Sequence, residues 1–286
     1  MLPLFLMHMG KIAKDYYLTE VDKLPNSIYC MHDYMGEDGI KPHQHLKDQL
    51  LYTEGGMVHV KVQGVTYFLP ARHYMWIPSG LEHSIHPGST AVIMRNLYFP
   101  FAQSDDSFFS QAGIYPVNEL LLQMLIFSNQ WHGDIVPQNK IAFGFVSSLR
   151  DILPQLSLHQ LPLILPMPSH SRLIQVIHYM EQNMQNGIAL PQLAQQFGFS
   201  ERSLSRLFKN DVDMSFIQYH TIQRMLKALE LLLTNKLSVK ETVALVGYNS
   251  IPTFSATFRK IVGISPSAYL KLGDGFGHQA TNGLNR

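Results

Sequence analysis

The chain has 286 residues, room for two domains of ordinary size, and its 46% hydrophobic share excludes wholesale disorder. Its single cysteine, Cys30, cannot build a disulfide framework. The apolar start, residues 1–7, lacks a basic residue and is too short for a signal-peptide core, and no segment reaches the roughly 18 uncharged apolar residues of a membrane span, so the chain reads as cytoplasmic with no membrane partner. A net charge of +1 hides an asymmetry: residues 1–169 carry 10 basic and 14 acidic side chains, residues 170–286 carry 12 and 7. A polyanion would meet the second half.

In chain order, residues from about 26 to 100 read as strands. Met57–Val62 alternates valine with other residues, the period of a half-buried strand. Gln49–Thr53, Val65–Leu69, Tyr74–Ile77 and Ala91–Tyr98 are short and rich in β-branched or aromatic residues, and Gly55-Gly56, Gln63-Gly64, Pro78-Ser79-Gly80 and Pro87-Gly88 punctuate them. Many short strands at this spacing predict a small barrel or jelly roll. From about residue 116 the period changes: Asn118–Gln130 and Lys140–Leu153 read as helices, the second ending near Pro154. Three prolines in Leu161–Pro168 place a linker at 161–170. Residues 171–272 read as helical throughout, and the Gly- and Asn-rich tail 273–286 as disordered.

The helical third contains an approximate duplication. In the first copy Leu193 and Phe197 form one helix face, Gly198 gives the tight exit and Ser200 caps the next helix. In that next helix Leu204, Leu207 and Phe208 face inward, leaving Glu201, Arg202, Ser205, Arg206 and Lys209 outward. In the second copy Ser238-Val239-Lys240-Glu241 is a capping box, Gly247 ends the helix, and Tyr248-Asn249-Ser250 leads into Ile251–Val262, with Pro252 tolerated in the first turn. Phe254, Phe258 and Ile261 face inward; Thr253, Ser255, Thr257, Arg259 and Lys260 face out. Each copy is a helix-turn-helix with a short, capped, polar second helix of the kind that enters a major groove. The helix between them, Phe216–Asn235, would span about 30 Å, close to the groove repeat of about 34 Å.

These residues carry a resemblance. Leu193-Ala194, Gly198-Phe199-Ser200, Leu204-Ser205-Arg206-Leu207-Phe208-Lys209, Arg224, Val246-Gly247-Tyr248, Phe258-Arg259-Lys260 and Gly263-Ile264-Ser265-Pro266-Ser267-Ala268-Tyr269 resemble the DNA-binding domain of AraC/XylS-type transcription regulators over about 100 residues. The resemblance implies DNA contact at Arg202, Ser205 and Arg206 in the first unit and at Ile251, Pro252 and Thr253 in the second, with Ser200, Ser203, Lys209, Ser250, Thr257, Arg259 and Lys260 beside them. Ala256 stands where the family often has a basic residue, which turns the second unit toward backbone contacts through Thr253, Arg259 and Lys260. Leu190 replaces the polar cap often found before the first unit.

In the first half, His43-Gln44-His45 with Asp48 and Gln49, and Ile77–His83, resemble the two cupin motifs; Gln49–Tyr52, Trp76–Pro78 and Arg95–Tyr98 look like the sensor domains of cupin-bearing AraC-type regulators. Metal-binding cupins use two histidines and a carboxylate from the first motif and one histidine from the second. His43, His45 and His83 match, Gln49 holds the carboxylate's place, and Arg72 stands where a glycine is usual. The histidines therefore read either as barrel residues lining a pocket or as ligands of a divalent metal, the only cofactor the chain implies. The expected effector pocket is His43, His45, Gln49, Tyr52, Trp76 and His83.

The expected fold is α+β with two domains: a cupin-like barrel and transmitting or dimerising helices in residues 1–160, then an all-α domain, 171–272, with two helix-turn-helix motifs joined by a long helix. The expected function is a ligand-responsive DNA-binding transcription activator rather than an enzyme. Its expected partners are double-stranded DNA, a small effector, RNA polymerase and a second copy of the chain. A cupin enzyme with a DNA-binding appendage, and a barrel that only dimerises, are the alternatives.

Overall fold

In the computed structural model, which describes residues 16–35, 39–54, 56–87, 92–102, 106–157, 160–233 and 237–274, the alternation of Met57–Val62 holds in three dimensions: Val58, Val60 and Val62 are buried while Lys61 is exposed. This strand belongs to a barrel of two antiparallel sheets. The strands are β1 (Ile28–Met35), β2 (Ile40–His43), β3 (Asp48–Glu54), β4 (Met57–Val62), β5 (Val65–Pro70), β6 (His73–Ile77), β7 (His83–Pro87), β8 (Val92–Phe99), β9 (Gly113–Pro116), β10 (Gly133–Ile135) and β11 (Ile164–Pro166). One sheet runs β10-β1-β8-β3-β6-β9, the other β11-β5-β4-β7-β2. The turn between β4 and β5 is Gln63-Gly64, both at positive φ (48° and 84°), the two-residue hairpin geometry that matches strand twist.

The first sheet is covered on both faces. Its lumen face carries Leu51, Met75, Ile77 and Tyr98. Its outer face carries Leu50, Tyr52, Tyr74, Trp76 and Leu97, which pack under α2 (Glu119–Phe127) and α3 (Lys140–Leu156). Asn118 and Asn139 cap these helices through their side chains. Helix α3 buries Ala142, Val146, Leu149 and Leu153, a three-and-four spacing that makes one apolar stripe; each large side chain so buried contributes about 1.5–3 kcal/mol. The helix does not stop near Pro154, as the sequence predicts, but runs to Leu156. A proline so close to the end forfeits one backbone bond and leaves only two residues to carry the cost.

The second domain consists of α4 (Ser171–Gln182), α5 (Leu190–Gln196), α6 (Glu201–Val212), α7 (Phe216–Leu233), α8 (Val239–Leu245), α9 (Ile251–Val262) and α10 (Pro266–Asp274). Ser200 caps α6, Ser250 caps α9, and the capping box at Ser238 and Glu241 is closed in both directions. The cap of α5 is Ala189, not Leu190, and makes no side-chain bond. The connecting helix α7 ends at Leu233, for a length of about 27 Å at the usual rise; residues 234 and 235 and the tail from 275 lie outside the described residues.

The expected linker is not a free tether. Ile164–Pro166 form β11, paired antiparallel with β5 in the register Ile164↔Tyr67, and Phe68 N–H donates to Leu163 O at 2.9 Å. Three prolines hid a strand at a sheet edge, where a missing N–H costs little. Barrel and helical domain share one apolar cluster. His73 on β6, 2% exposed, meets the ring of Tyr269 on α10 with centroids 6.3 Å apart.

Both helix-turn-helix turns pass through glycine at positive φ, Gly198 at 66° and Gly247 at 73°. A Cβ on Gly247 would stand 2.2 Å from the backbone oxygen of Met184, whereas one on Gly198 would meet only the end of the Arg172 side chain at 3.7 Å. Gly198→Ala should therefore cost about 1–2 kcal/mol, the left-handed penalty alone, and Gly247→Ala clearly more, about 3 kcal/mol or above, because a backbone atom must move. Urea unfolding of the two variants beside the parent checks the order.

Candidate nucleic-acid interface and effector site

The polar faces of α6 and α9 are open. On α6, Arg202, Ser205, Arg206 and Lys209 are exposed while Leu204, Phe208 and Val212 are buried. On α9, Ile251, Pro252, Thr253, Arg259 and Lys260 are exposed and Phe254, Phe258 and Ile261 are buried. Some expected contacts are already engaged. Ser200 Oγ accepts from Ser203 N–H at 3.1 Å and Ser203 Oγ donates to Ser200 O at 2.8 Å, so both serve the cap of α6. Lys209 Nζ donates to the carboxylate and carbonyl of Asp213 at 2.5 and 3.1 Å. Thr257 Oγ1 donates to Thr253 O at 2.9 Å, and Ser250 Oγ accepts from Thr253 N–H. Arg202, Ser205 and Arg206 on α6 and Arg259 and Lys260 on α9 remain exposed, the residue types that reach phosphates and guanine edges.

Each turn is held by an arginine. Arg172 on α4 lies over the Phe199 ring, its guanidinium carbon 3.9 Å from the centroid, and Nη2 donates to Phe197 O at 2.5 Å. Arg224 on α7 lies 3.5 Å over Tyr248, and Nε donates to Val246 O at 2.5 Å. In both copies the cation stacks on the aromatic residue after the glycine and grips the carbonyl before it, combining cation–π attraction with a charge-assisted bond. Arg224 is among the residues that carry the family resemblance; Arg172 is not legible from sequence, because it sits on the preceding helix 26 residues before its glycine.

In the barrel, the end of β2 and the start of β7 bring His43, His45 and His83 together. One nitrogen of each lies within 4.8 Å of those of the others, and all three residues are buried. Every Nδ1 faces a backbone carbonyl: His43 to Lys41 O at 2.8 Å, His45 to Lys47 O at 2.5 Å, His83 to Leu81 O at 2.8 Å. A ring whose Nδ1–H donates outward keeps a bare lone pair on Nε2. Nε2 of His43 and of His83 finds no partner among the described residues. Nε2 of His45 stands 3.1 Å from Gln49 Oε1, whose amide nitrogen is committed to Asn96 Oδ1 at 2.6 Å and Tyr98 Oη at 3.3 Å. Burial, with His43 as a second cause, lowers His83 to about 3, and burial lowers His43 and His45 as well, so all three are neutral donors at neutral pH.

This donor set fits a divalent cation that prefers imidazole: His43 and His83 offer unpartnered Nε2 atoms oriented by their second hydrogen bonds, and His45 would join them by exchanging its bond to Gln49 Oε1 for the ion. The neighbouring carboxylate is turned away. Asp48 accepts from Ser79 N–H at 3.0 Å and pairs with Arg150 at 3.6 Å. Tyr17, on the short α1 (Tyr16–Thr19), roofs the cluster with its ring 4.5 Å from that of His43.

Four of the six expected pocket residues meet here: His43, His45, Gln49 and His83. Tyr52 and Trp76 do not. Strand alternation puts them on the opposite face of the sheet, where they belong to the cluster under α2 and α3. Trp76 donates to Phe109 O at 3.2 Å, and Tyr52 lies three residues from Gln49, an odd step that reverses the face.

The chain matches two family models, an AraC-like ligand binding domain over residues 26–123 and a helix-turn-helix domain over residues 193–272. It is 28% identical over 243 residues to the HTH-type transcriptional regulator NimR of Escherichia coli, covering 85% of this chain and 86% of that protein. It is 33% identical over 95 residues to the HTH-type transcriptional regulator GbdR of Pseudomonas aeruginosa, covering 33% of this chain and 26% of that one. Among solved structures it is similar to the C-terminal domain of AraT, a response regulator from Geobacillus stearothermophilus, at 32% identity and a TM-score of 0.35, covering 36% of this chain and 86% of that one. Among the described residues no helix is long and apolar enough to cross a membrane.

Buried histidines outside the cluster set an acid limit. Burial first, and the nearby Arg95 second, lower His32 to about 3; burial lowers His73 to about 4, and burial with Arg224 lowers His220 to about 4, against an ordinary value near 6.5. These rings are neutral in the folded chain and take up protons only on unfolding, so stability is full above about pH 6.5 and falls as the pH drops toward about 4. Thermal melting between pH 7 and 4 should show this decline, and His220→Phe, stacked on Phe216 as the histidine is, should remove about one proton from its slope.

Proposed function

We propose that this chain, an AraC/XylS-type transcription regulator with an N-terminal cupin-like ligand-binding domain, binds a specific operator through α6 and α9 and changes its affinity when a small molecule enters the barrel. The observation that carries this reading is the pairing of two open polar recognition helices, stapled alike, with a barrel whose buried histidine cluster is left unsatisfied. Arg202, Ser205 and Arg206 read bases; Arg259 and Lys260, at the last turn of α9, grip the phosphate backbone. Effector and DNA are linked through two states of the chain, because a ligand shifts an equilibrium only by its differential affinity for them. The working unit is a homodimer: Leu120 and Phe127 on α2 and Ile141 on α3 leave an apolar outer face exposed. Activation then requires contact with RNA polymerase, which places the protein in the cytoplasm.

In the barrel, His43, His45 and His83, with Gln49 beside them, would hold a divalent ion such as zinc, nickel or iron(II). Such an ion supplies a Lewis-acidic anchor for an oxygen or nitrogen atom of the effector. The chain's own part is to hold the free Nε2 atoms of His43 and His83 close to His45 and to exclude water beneath Tyr17. A regulatory rather than enzymatic role is supported by the engagement of Asp48, the carboxylate beside Gln49, which is bound by Arg150 and Ser79.

Two outcomes follow. Arg206→Ala in the full chain should weaken operator binding by about 1–3 kcal/mol and leave random-sequence DNA nearly untouched; equal loss on both DNAs would make Arg206 a backbone contact, and the absence of any salt-dependent DNA affinity in the parent would overturn the reading. Elemental analysis of protein purified without chelator should find close to one transition metal per chain, lost in His83→Ala; a metal-free parent that binds none on addition leaves the histidines as pocket lining.

A further inference from the structure

Helices α6 and α9 are built to one plan. Both have 12 residues, and each starts from a serine whose hydroxyl accepts the backbone N–H three residues on: Ser200 from Ser203, Ser250 from Thr253. Their buried positions fall in step, Leu204, Phe208 and Val212 in α6 and Phe254, Phe258 and Val262 in α9. Cap and core therefore set both helices in the same rotational phase. Each outward residue of α6 has its counterpart in α9 at a number 50 higher.

At the outward positions of the first two turns the chemistry inverts. Glu201, Arg202 and Arg206 are exposed on α6; in their places Ile251, Pro252 and Ala256 are exposed on α9. Residues 251–257 hold no charged side chain. Of the hydroxyls among and beside them, that of Ser250 serves the cap and that of Thr257 donates to Thr253 O at 2.9 Å. Packing does not account for the apolar set. Ile251 is 44% exposed, and at the equivalent position of α6 the same architecture holds a glutamate. Residues 252 and 256 are four apart and so share one face of the helix, and the N-terminal residues of a recognition helix are those that reach base edges.

The major groove offers each set a different partner. Guanidinium groups pair with the acceptors of guanine, and a carboxylate accepts from the amino group of cytosine; the apolar group on the groove floor is the C5 methyl of thymine. We infer that the second unit is a thymine reader, in which Ile251, Pro252 and Ala256 seat against thymine methyl groups, while α6 reads guanine and cytosine edges through Arg202, Arg206 and Glu201. The operator then has two unlike boxes, one specified by hydrogen bonds and one by apolar contact. Arg259 and Lys260, on the last turn of α9, hold that helix to the phosphates without naming a base. This inference rests on the operator reading above and assigns the second half of the operator a chemistry.

The test starts by selecting duplexes from a random-sequence library with the full-length protein. The α6 box is the half whose base requirement relaxes in Arg206→Ala. Deoxyuridine is then placed for thymine in one half at a time, which removes the methyl and keeps every hydrogen-bonding group. In the other half binding should weaken about fourfold per methyl lost, the factor that burying one such group is worth; in the α6 half it should change less than twofold. Ile251→Ala should reduce the uridine penalty to below twofold, which ties the methyl to that side chain. Ala256→Arg, which restores a guanidinium at the place of Arg206, should select guanine in place of thymine at one position of that half. Melting curves confirm that each variant is folded. A second half without thymine, uridine duplexes bound as tightly as the parent duplex, or a penalty untouched by Ile251→Ala overturns the inference. Sequence selection confined to the α6 half also overturns it and leaves the operator reading intact, whereas a chain that selects no sequence at all overturns both.

Discussion

Strand β3 is buried at all seven of its positions, Asp48 to Glu54, because it lies inside a sheet that is covered on both faces. That constraint organises the N-terminal domain. Alternate side chains go to separate compartments: Gln49 and Leu51 to the lumen, Leu50 and Tyr52 to the layer beneath α2 and α3. One strand therefore carries both Gln49, bonded to the histidine cluster in the lumen, and the seat of the helices outside it. A displacement of Gln49 would be passed by the same backbone to Leu50 and the helices above, since a close-packed interior transmits strain.

The DNA-binding domain repeats one device twice. Two short helices meet at a turn that needs glycine, and a third helix supplies an arginine to lock it. The locks use cations committed to a ring and a carbonyl, Arg172 and Arg224, while Arg202, Arg206 and Arg259 are exposed on α6 and α9. Basic side chains here divide into those that hold the turns and those that stay exposed on the helices. Charge counting along the sequence cannot separate the two, so the net charge of this half overstates what is available to a polyanion.

Much of the molecule is legible in the sequence where a short-range signal coincides with the fold. Met57–Val62 as a strand, Ser200 as a cap, the box at Ser238 and Glu241, and the inward faces of α6 and α9 all follow from period and capping chemistry. What was not legible depends on distant partners. Tyr52 and Trp76 fall beside the histidine motifs in sequence, yet the alternation of β3 and β6 sends them to the other face; the odd spacing from Gln49 carried the signal, but without the register it could not be used. Strand β11 was concealed by Pro166 and the prolines flanking it, which are tolerated because an edge strand needs only half of its backbone bonds. Arg172 shows no pattern until α4 is packed against the first turn. The open state of Nε2 in His43 and His83 is a property of backbone carbonyls that no motif records.

The pairing of β11 with the barrel leaves the connection to the DNA-binding domain very short. Between Pro166 and the start of α4 at Ser171 stand four residues, a reach of about 14 Å at most. Even these are occupied: Ser169 and His170 donate their backbone N–H groups to the Asp211 carboxylate, on the last turn of recognition helix α6, at 2.9 and 3.1 Å. The helical domain thus hangs from the barrel on a leash with almost no slack. Any larger excursion of one from the other requires β11 to peel from the sheet edge, so freedom of movement becomes a property of three paired residues in the barrel.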